Sequence, residues 1–442
     1  MSLARLNELS ASEAARAVAT RQITARDLVE ACLERVRERE DDVQAWAYID
    51  PDHAIAQAIS ADEALASGRD VGPLHGVPVG IKDIIDTADM PTENGSPMFA
   101  GRRPNHDAAC IAALRAAGAV IMGKTVTTEL ANLNPNKTRN PHNLAHTPGG
   151  SSSGSGASVA DFHVPLALGT QTGGSVIRPA SFNGVYGLKP TLGLIPRGGV
   201  LMQSHMLDTV GVYGRSVEDL GLITDVLSIY DREDPQSHFA SRGRVSDVLK
   251  QTPPSPPKFA FLRTPAWNHA DPAAQAAIER FAETLGEQCR HEDLPDPFDR
   301  IVELHWTVMG AEDLAYYGKY LDERPEFLSE KIKERLNTAK AIRGDDYVKA
   351  LLARETINES LERLLTSYDA VLCLASPGPA PKGFETTGNA IFNGLWTYLG
   401  VPCVSLPLLH IEGMPMGVQL VGMRGDEGRL LRTAAWLDQQ QF

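Results

Sequence analysis

Lys82 ends the apolar run Val77-Pro78-Val79-Gly80-Ile81 and is followed at once by Asp83. Downstream lie two glycine–serine clusters, Gly149 to Gly156 and Gly173-Gly174-Ser175. Between them runs the strand-like stretch Pro165-Leu166-Ala167-Leu168-Gly169. A serine hydroxyl is a poor nucleophile until a base takes its proton. Lysine is such a base only where burial or nearby positive charge disfavours the ammonium form. Gly-Gly-Ser adds backbone amides that can point at a developing oxyanion. Base, hydroxyl and amides are the parts of an acyl-transfer site. Each piece alone has a plainer reading: a surface lysine paired with Asp83, a linker or anion-binding loop, a turn. The first cluster holds no Gly-Lys-Ser/Thr of a Walker loop. A disordered linker would not pass directly into Val164 to Leu168. The combination is more specific than its parts.

The elements that must position these residues follow a β-then-α rhythm. Thr24 with Asp27 predicts a helix start, and Leu28, Cys32 and Val36 beside Val29 and Leu33 give it an apolar face. Residues from about Ser10 to Gly68 therefore read as helices packed on the main body. Val77 to Ile81 predicts a strand, Ala108 to Ala117 a helix, and Val120 to Gly123 another strand. Ser216 with Asp219 repeats the capping pattern for a helix through Leu227. The Pro-rich segment Thr252 to Pro257 reads as a stiff surface loop leading into a strand, Phe259 to Leu262. Ala273 to Tyr368 reads as mostly helical, and Val371 to Leu374 and Cys403 to Leu406 as buried strands. This pattern predicts a mixed α/β sheet covered by helices on both faces.

Composition narrows the function classes. The chain has 442 residues, 43% hydrophobic and 22% charged, enough for a substantial core. Its 42 Lys+Arg against 56 Asp+Glu leave a net charge of −14. That balance argues against nucleic acid or an anionic membrane surface as a partner. The five scattered cysteines show no C-x-x-C pair, which fits reduced cytoplasmic usage better than a disulfide framework or zinc site. No signal-peptide core or bilayer-length apolar run is present. His142 and His146 lie between Pro141 and Pro148 in a loop without H-E-x-x-H, so no metal is expected. Tyr316, Tyr317, Tyr320 and Cys403 read as packing residues, while Asn94, Gly95, Ser96, Thr128 and Asn132 are candidates to line a pocket.

Pro148 to Pro190 resembles the signature region of the amidase signature family. Gly-Gly-Ser-Ser stands at 149–152, Gly-Thr-x-x-Gly-Gly-Ser at 169–175 and Gly-Leu-Lys-Pro at 187–190. Ser151 follows Lys82 by 69 residues and Ser175 follows Ser151 by 24, spacings that suit a Ser–cisSer–Lys triad. The resemblance extends over almost the whole chain, as far as Met416-Gly417-Val418-Gln419-Leu420. It implies an α/β amidase signature fold with a central mixed sheet sandwiched by helices. It also implies a single domain over 1–442: peripheral helices in 1–68, a catalytic core in 69–230, and a helical insertion with the rest of the core in 231–442.

Carried over residue by residue, the resemblance implies that Ser175 attacks an amide carbonyl and becomes the acyl-enzyme. Ser151, beside or preceding a cis peptide to Ser152, relays the proton to neutral Lys82. Amides of Thr172, Gly173, Gly174 and Ser175 form the oxyanion hole, with neither metal nor cofactor. Gln171 stands where many members carry aspartate, and Arg178 lies three residues after Ser175 rather than two. Both features, with Gly80 to Thr87 and Leu395-Trp396-Thr397, resemble the bacterial malonamidase-like subgroup. There Gln171 and Arg178 are expected at the substrate, Arg178 on a carboxylate; the plainer alternative pairs Arg178 with an internal acid to brace the loop. The implied protein is a cytoplasmic enzyme, a homodimer by family habit, acting on a small malonamate-like amide. Two alternatives stay open: a hydrolase of urea-derived amides of the biuret or allophanate type, and the amidase subunit of a tRNA-dependent amidotransferase complex.

Overall fold

Eleven strands form one mixed sheet in the computed structural model, which describes residues 3–238, 243–294 and 296–440. They are β1 (Trp46–Ile49), β2 (Pro78–Lys82), β3 (Val120–Thr125), β4 (Leu166–Gln171), β5 (Tyr186–Lys189) and β6 (Thr209–Gly214). Then come β7 (Phe259–Leu262), β8 (Cys289–Glu292), β9 (Ala370–Leu374), β10 (Cys403–Ile411) and β11 (Met414–Val421). The spatial order is β1-β3-β2-β4-β6-β5-β10-β11-β9-β7-β8. Pairs β3–β2, β2–β4, β9–β7 and β7–β8 run parallel, and the others antiparallel. The α/β class and the mixed sheet match the expectation. The central strands are buried on both faces, and they read as near-continuous apolar runs for that reason.

Capping places the early helices where their sequence asks for them. Thr24 accepts from the Asp27 amide and opens the helix Ala25–Val43, while Ser216 does the same for Val217–Leu227. Asp219 is itself buried, and its carboxylate accepts the Ser12 amide at 2.9 Å, the Ser12 hydroxyl at 2.5 Å and the Arg215 amide at 3.0 Å. The first α-helix, Ala11–Ala19, is thereby tied to the helix Val217–Leu227. The N-terminal segment is not purely helical, because β1 follows Ala25–Val43 and pairs with β3. Likewise β8 interrupts the expected run of helices and becomes the far edge of the sheet. Both are four-residue edge strands, too short to show a period.

The first glycine–serine cluster is a loop followed by the helix Ser153–Ala160. Its small residues allow close approach: a Cβ on Gly154 would collide with the Ala45 carbonyl oxygen and the Val126 nitrogen. Ser155 sits 2.7 Å from the Thr125 hydroxyl and donates to the Leu168 carbonyl at 2.8 Å, tying the helix to two strands. Tyr317 is buried and packs against Tyr320 in the helix Ile301–Glu323. Cys403 lies buried in β10, and burial pushes its thiol up to about 12.

Because backbone atoms cannot move aside, Gly154→Ala should destabilise the fold by roughly 1–3 kcal/mol or more, as overpacked cores do. Gly344, at the start of the helix Gly344–Leu365, has nothing within 4 Å of its would-be Cβ. Gly344→Ala should be neutral or slightly stabilising. Denaturant midpoints of the two variants check the contrast.

Candidate active site

Lys82 is the last residue of β2, and Thr170 lies near the end of its parallel neighbour β4. The lysine is fully buried, and its Nζ lies 2.7 Å from both Ser151 Oγ and Thr170 Oγ1. Burial pushes the amine down to about 7, opposed by the charge of Asp208. Among the described residues, no carboxylate lies within ion-pair distance of it. Asp83 turns instead to the buried Lys124 at 3.4 Å. The surface-pair reading of Lys82 is therefore excluded.

Ser151 follows a cis peptide bond, which joins Gly150 to Ser151 rather than Ser151 to Ser152. The Ser151 carbonyl accepts from the Thr128 amide at 3.1 Å. Ser152 Oγ both donates to the Thr170 carbonyl and accepts from the Thr170 amide, each at 3.2 Å, so the loop is stitched onto β4.

Ser175 lies in the turn between β4 and the helix Ile177–Asn183 and is partly exposed. Among the described residues its Oγ has no hydrogen-bond partner, and no bond joins it to Ser151. Catalytic contacts often tighten only when substrate is bound. The carbonyls of the segment are all occupied. That of Thr172 accepts from His305 Nε2 at 3.0 Å and that of Gly173 from Thr397 Oγ1 at 2.8 Å. The Gly174 carbonyl accepts from the Arg178 amide at 3.0 Å, and the Ser175 carbonyl from the Tyr213 hydroxyl at 3.0 Å. The amides of Gly173, Gly174 and Ser175 have no protein acceptor among the described residues. Thr172 is further fixed by its hydroxyl, which donates to Asp208 at 2.5 Å.

Ser175 opens onto a cavity of about 710 Å³, lined also by Thr172, Gly173, Gly174, Arg178 and His305. Arg178 is 5% exposed. Its Nη2 donates to the Gly150 carbonyl at 2.6 Å and to Thr387 Oγ1 at 3.1 Å, while Nε has no partner. Among the described residues no carboxylate pairs with it. Burial lowers its guanidinium to about 10, which still leaves it charged. The internal acid of the plainer reading is not found among the described residues: Arg178 braces the loop through the Gly150 carbonyl instead, and it also lines the cavity.

Gln171 corrects the expectation of a substrate contact. It is fully buried beneath the loop. Its Oε1 accepts the Val176 and Ile177 amides at 2.8 and 3.0 Å, and Nε2 donates to Thr397 Oγ1 at 2.9 Å. Gln171 thus satisfies amides at the start of the helix Ile177–Asn183, and it is absent from the cavity wall. Asn132 does line the cavity; Asn94, Gly95, Ser96 and Thr128 do not. His142 and His146 are spent on backbone carbonyls, and among the described residues no group of His, Cys, Asp or Glu could hold a metal ion. Sequence reasoning missed Thr170, Asp208, Tyr213 and His305. Only Thr170, inside Gly169-Thr170, stood within a recognisable motif.

The amidase family model matches residues 27–431. The chain is a member of the amidase signature family. It is an enzyme that hydrolyses C–N bonds. Among its relatives is a glutamyl-tRNA(Gln) amidotransferase subunit of Clostridium botulinum (strain Eklund 17B / Type B), 33% identical over 94% of each chain. Among solved structures, the amidase resembles a chain of a vestigial protein complex that bears on the origins of an s-triazine catabolic enzyme. That likeness has a TM-score of 0.90 at 28% identity, over 97% of this chain and 98% of the other. The peptide amidase of Stenotrophomonas maltophilia superposes with a TM-score of 0.84 at 27% identity, covering 98% and 96%. These relatives support the family without supporting a particular closeness to malonamidases. No described helix is long and apolar enough to cross a membrane.

The electrostatics of Lys82 can be tested without turnover. Its folded pKa of about 7 lies below the ordinary 10.5, so the unfolded chain binds the extra proton between those values. The resulting penalty on folding is full below about pH 7 and fades as pH rises toward the unfolded value. Lys82→Met should therefore raise Tm more at about pH 6 than near pH 10. An equal change at both, read by calorimetry, would contradict a desolvated amine.

Proposed function

We propose that the amidase is a serine amidohydrolase in which Ser175 is the nucleophile, Ser151 the proton relay and neutral Lys82 the terminal base. Ser175 Oγ adds to the amide carbonyl while its proton passes to Ser151, whose own proton moves to Lys82. The tetrahedral oxyanion is received by the amides of Gly173, Gly174 and Ser175, with Thr172 beside them. Collapse breaks the C–N bond, and the proton returns from Lys82 through Ser151 to the departing nitrogen. Water then adds to the acyl-Ser175 ester, yielding a carboxylate and the free hydroxyl. The observation that carries this reading is the buried amine of Lys82, held by two hydroxyls and pushed down to about 7.

The substrate is inferred to be a small amide carrying a carboxylate. Arg178 supports this: a buried cation without a carboxylate partner is costly, and an anionic group in the cavity would pair with it. Malonamate meets that description, but so do glutamine and carboxylated urea derivatives. The relatives favour a role as the amide-hydrolysing member of a transamidation complex over a malonamidase, because likeness to the glutamyl-tRNA(Gln) amidotransferase proteins spans the whole fold. That reading retires the exclusion of nucleic acid drawn from net charge. A chain of charge −14 can serve a tRNA-dependent complex while its partners hold the tRNA. The s-triazine relation favours including urea-derived amides in any panel.

Ammonia release from glutamine, malonamate, malonamide, acetamide, biuret and allophanate, with Ser175→Ala as blank, tests the reading. Turnover should favour carboxylate-bearing amides, and Arg178→Met, which also frees the Gly150 carbonyl, should raise their KM about tenfold or more beyond any change it makes for acetamide. Activity confined to neutral amides would sink the role given to Arg178.

The pH profile supplies a second test. Because Lys82 must be neutral, kcat/KM should fall as pH drops through about 7. Asp208→Asn removes the negative charge that holds the lysine pKa up, so the acid limb should move to lower pH. A limb that stayed in place would separate Lys82 from the base role.

A further inference from the structure

We propose that His305, on the helix Ile301–Glu323 of the segment expected as a helical insertion, is a positioning residue that sets the orientation of the oxyanion-binding amides. The inference rests on the reading of those amides given above.

A peptide unit is planar and trans, so its C=O and the following N–H point in opposite directions. Holding the carbonyls of Thr172, Gly173 and Gly174 therefore aims the amides of Gly173, Gly174 and Ser175 the other way. Two of those carbonyls are held from nearby or from the core: Gly174 by the Arg178 amide, and Gly173 by Thr397. The first, that of Thr172, is held by His305 Nε2 at 3.0 Å, from a residue 133 positions away. This carbonyl shares its peptide plane with the Gly173 amide. Glycine at 173 has neither the Cβ nor the β-branch that would limit rotation of that plane, so an outside anchor must fix it.

The imidazole suits the task. It is buried, and desolvation pushes it down to about 4, so it is neutral at working pH. A neutral ring that donates from Nε2 has a bare Nδ1. The ring seats against Gly394, where a Cβ would lie 2.8 Å from its atoms, so a larger residue there would displace it. His305 also lines the cavity, and it thereby couples the wall contributed by this helix to the loop that carries Ser175.

The test compares His305→Leu, which keeps bulk and loses the donor, with His305→Gln, whose amide N–H can still reach the carbonyl. On the amide turned over fastest, the Leu variant should lose about 10- to 100-fold in kcat with KM within about twofold, and the Gln variant should recover most of the loss. Crystal structures of both variants should show the Thr172–Gly173 peptide plane rotated in Leu and retained in Gln. An unrotated plane in the Leu variant overturns the positioning role whatever the activity. A rotated plane with unchanged kcat preserves the anchoring but refutes these amides as the oxyanion site. A rise in KM alone would reduce His305 to a cavity wall.

Discussion

The arrangement depends on a fully buried lysine amine that has no carboxylate in ion-pair contact among the described residues. Lys82 achieves this by ending a central strand whose two neighbours run parallel to it. The next strand carries a second buried lysine, Lys124, with the opposite solution: it takes Asp83 as partner at 3.4 Å, and Thr92 and the Pro91 carbonyl besides. Assigning Asp83 to Lys124 leaves Lys82 with hydroxyls only. Desolvation then decides its protonation, because a hydroxyl serves neutral and charged amines alike, whereas a carboxylate would stabilise the ammonium. Asp208, fully buried and pushed up to about 6 by desolvation, acts on the lysine only through space.

The second requirement is a loop with free amides that does not collapse onto itself. Gly173-Gly174 gives the chain freedom, and freedom alone would let those amides find internal acceptors. The structure removes that option from the carbonyl side, using Tyr213 from β6, Thr397 from a C-terminal helix, His305 from the helical segment and a local backbone amide. Burial raises the Tyr213 phenol and keeps it a donor. Gln171 completes the brace from below: its Oε1 takes two amides at the start of the following helix while its Nε2 donates to Thr397, a donation that an ionised carboxylate there could not make.

Much of this was legible in the sequence, and the reason is local. Lys82, Ser151 and Ser175 sit at element ends marked by apolar runs and glycine, and those marks are short-range. The long apolar strands and side-chain caps at Thr24 and Ser216 were legible for the same reason. What stayed hidden was tertiary. His305 and Tyr213 look like ordinary helix and strand residues until the fold brings them to carbonyls 133 and 38 positions away. The edge strands β1 and β8 carry four residues each, too few for a pattern, and they owe their conformation to the partner strand. Gln171 was misplaced because its motif position suggested the substrate, while its side chain points into the interior and is consumed there.

The charges around the site constrain one another. A carboxylate substrate entering near Lys82 would, by itself, favour the ammonium form and weaken the base on which the proposed chemistry depends. A cation that absorbs the incoming charge removes this conflict, and Arg178 lines the same cavity as Ser175 with no acidic partner of its own among the described residues. Had Arg178 been paired with an internal acid, an anionic ligand would meet a neutralised pair and its field would reach the lysine undiminished. The other arginine on this cavity, Arg335, is already paired with Asp313 at 2.6 Å and stacked on Trp306, so it cannot take that part. On the proposed carboxylate-bearing substrate, Arg178 would take the incoming negative charge, while Lys82 keeps only hydroxyl partners among the described residues and an amine that burial pushes down to about 7.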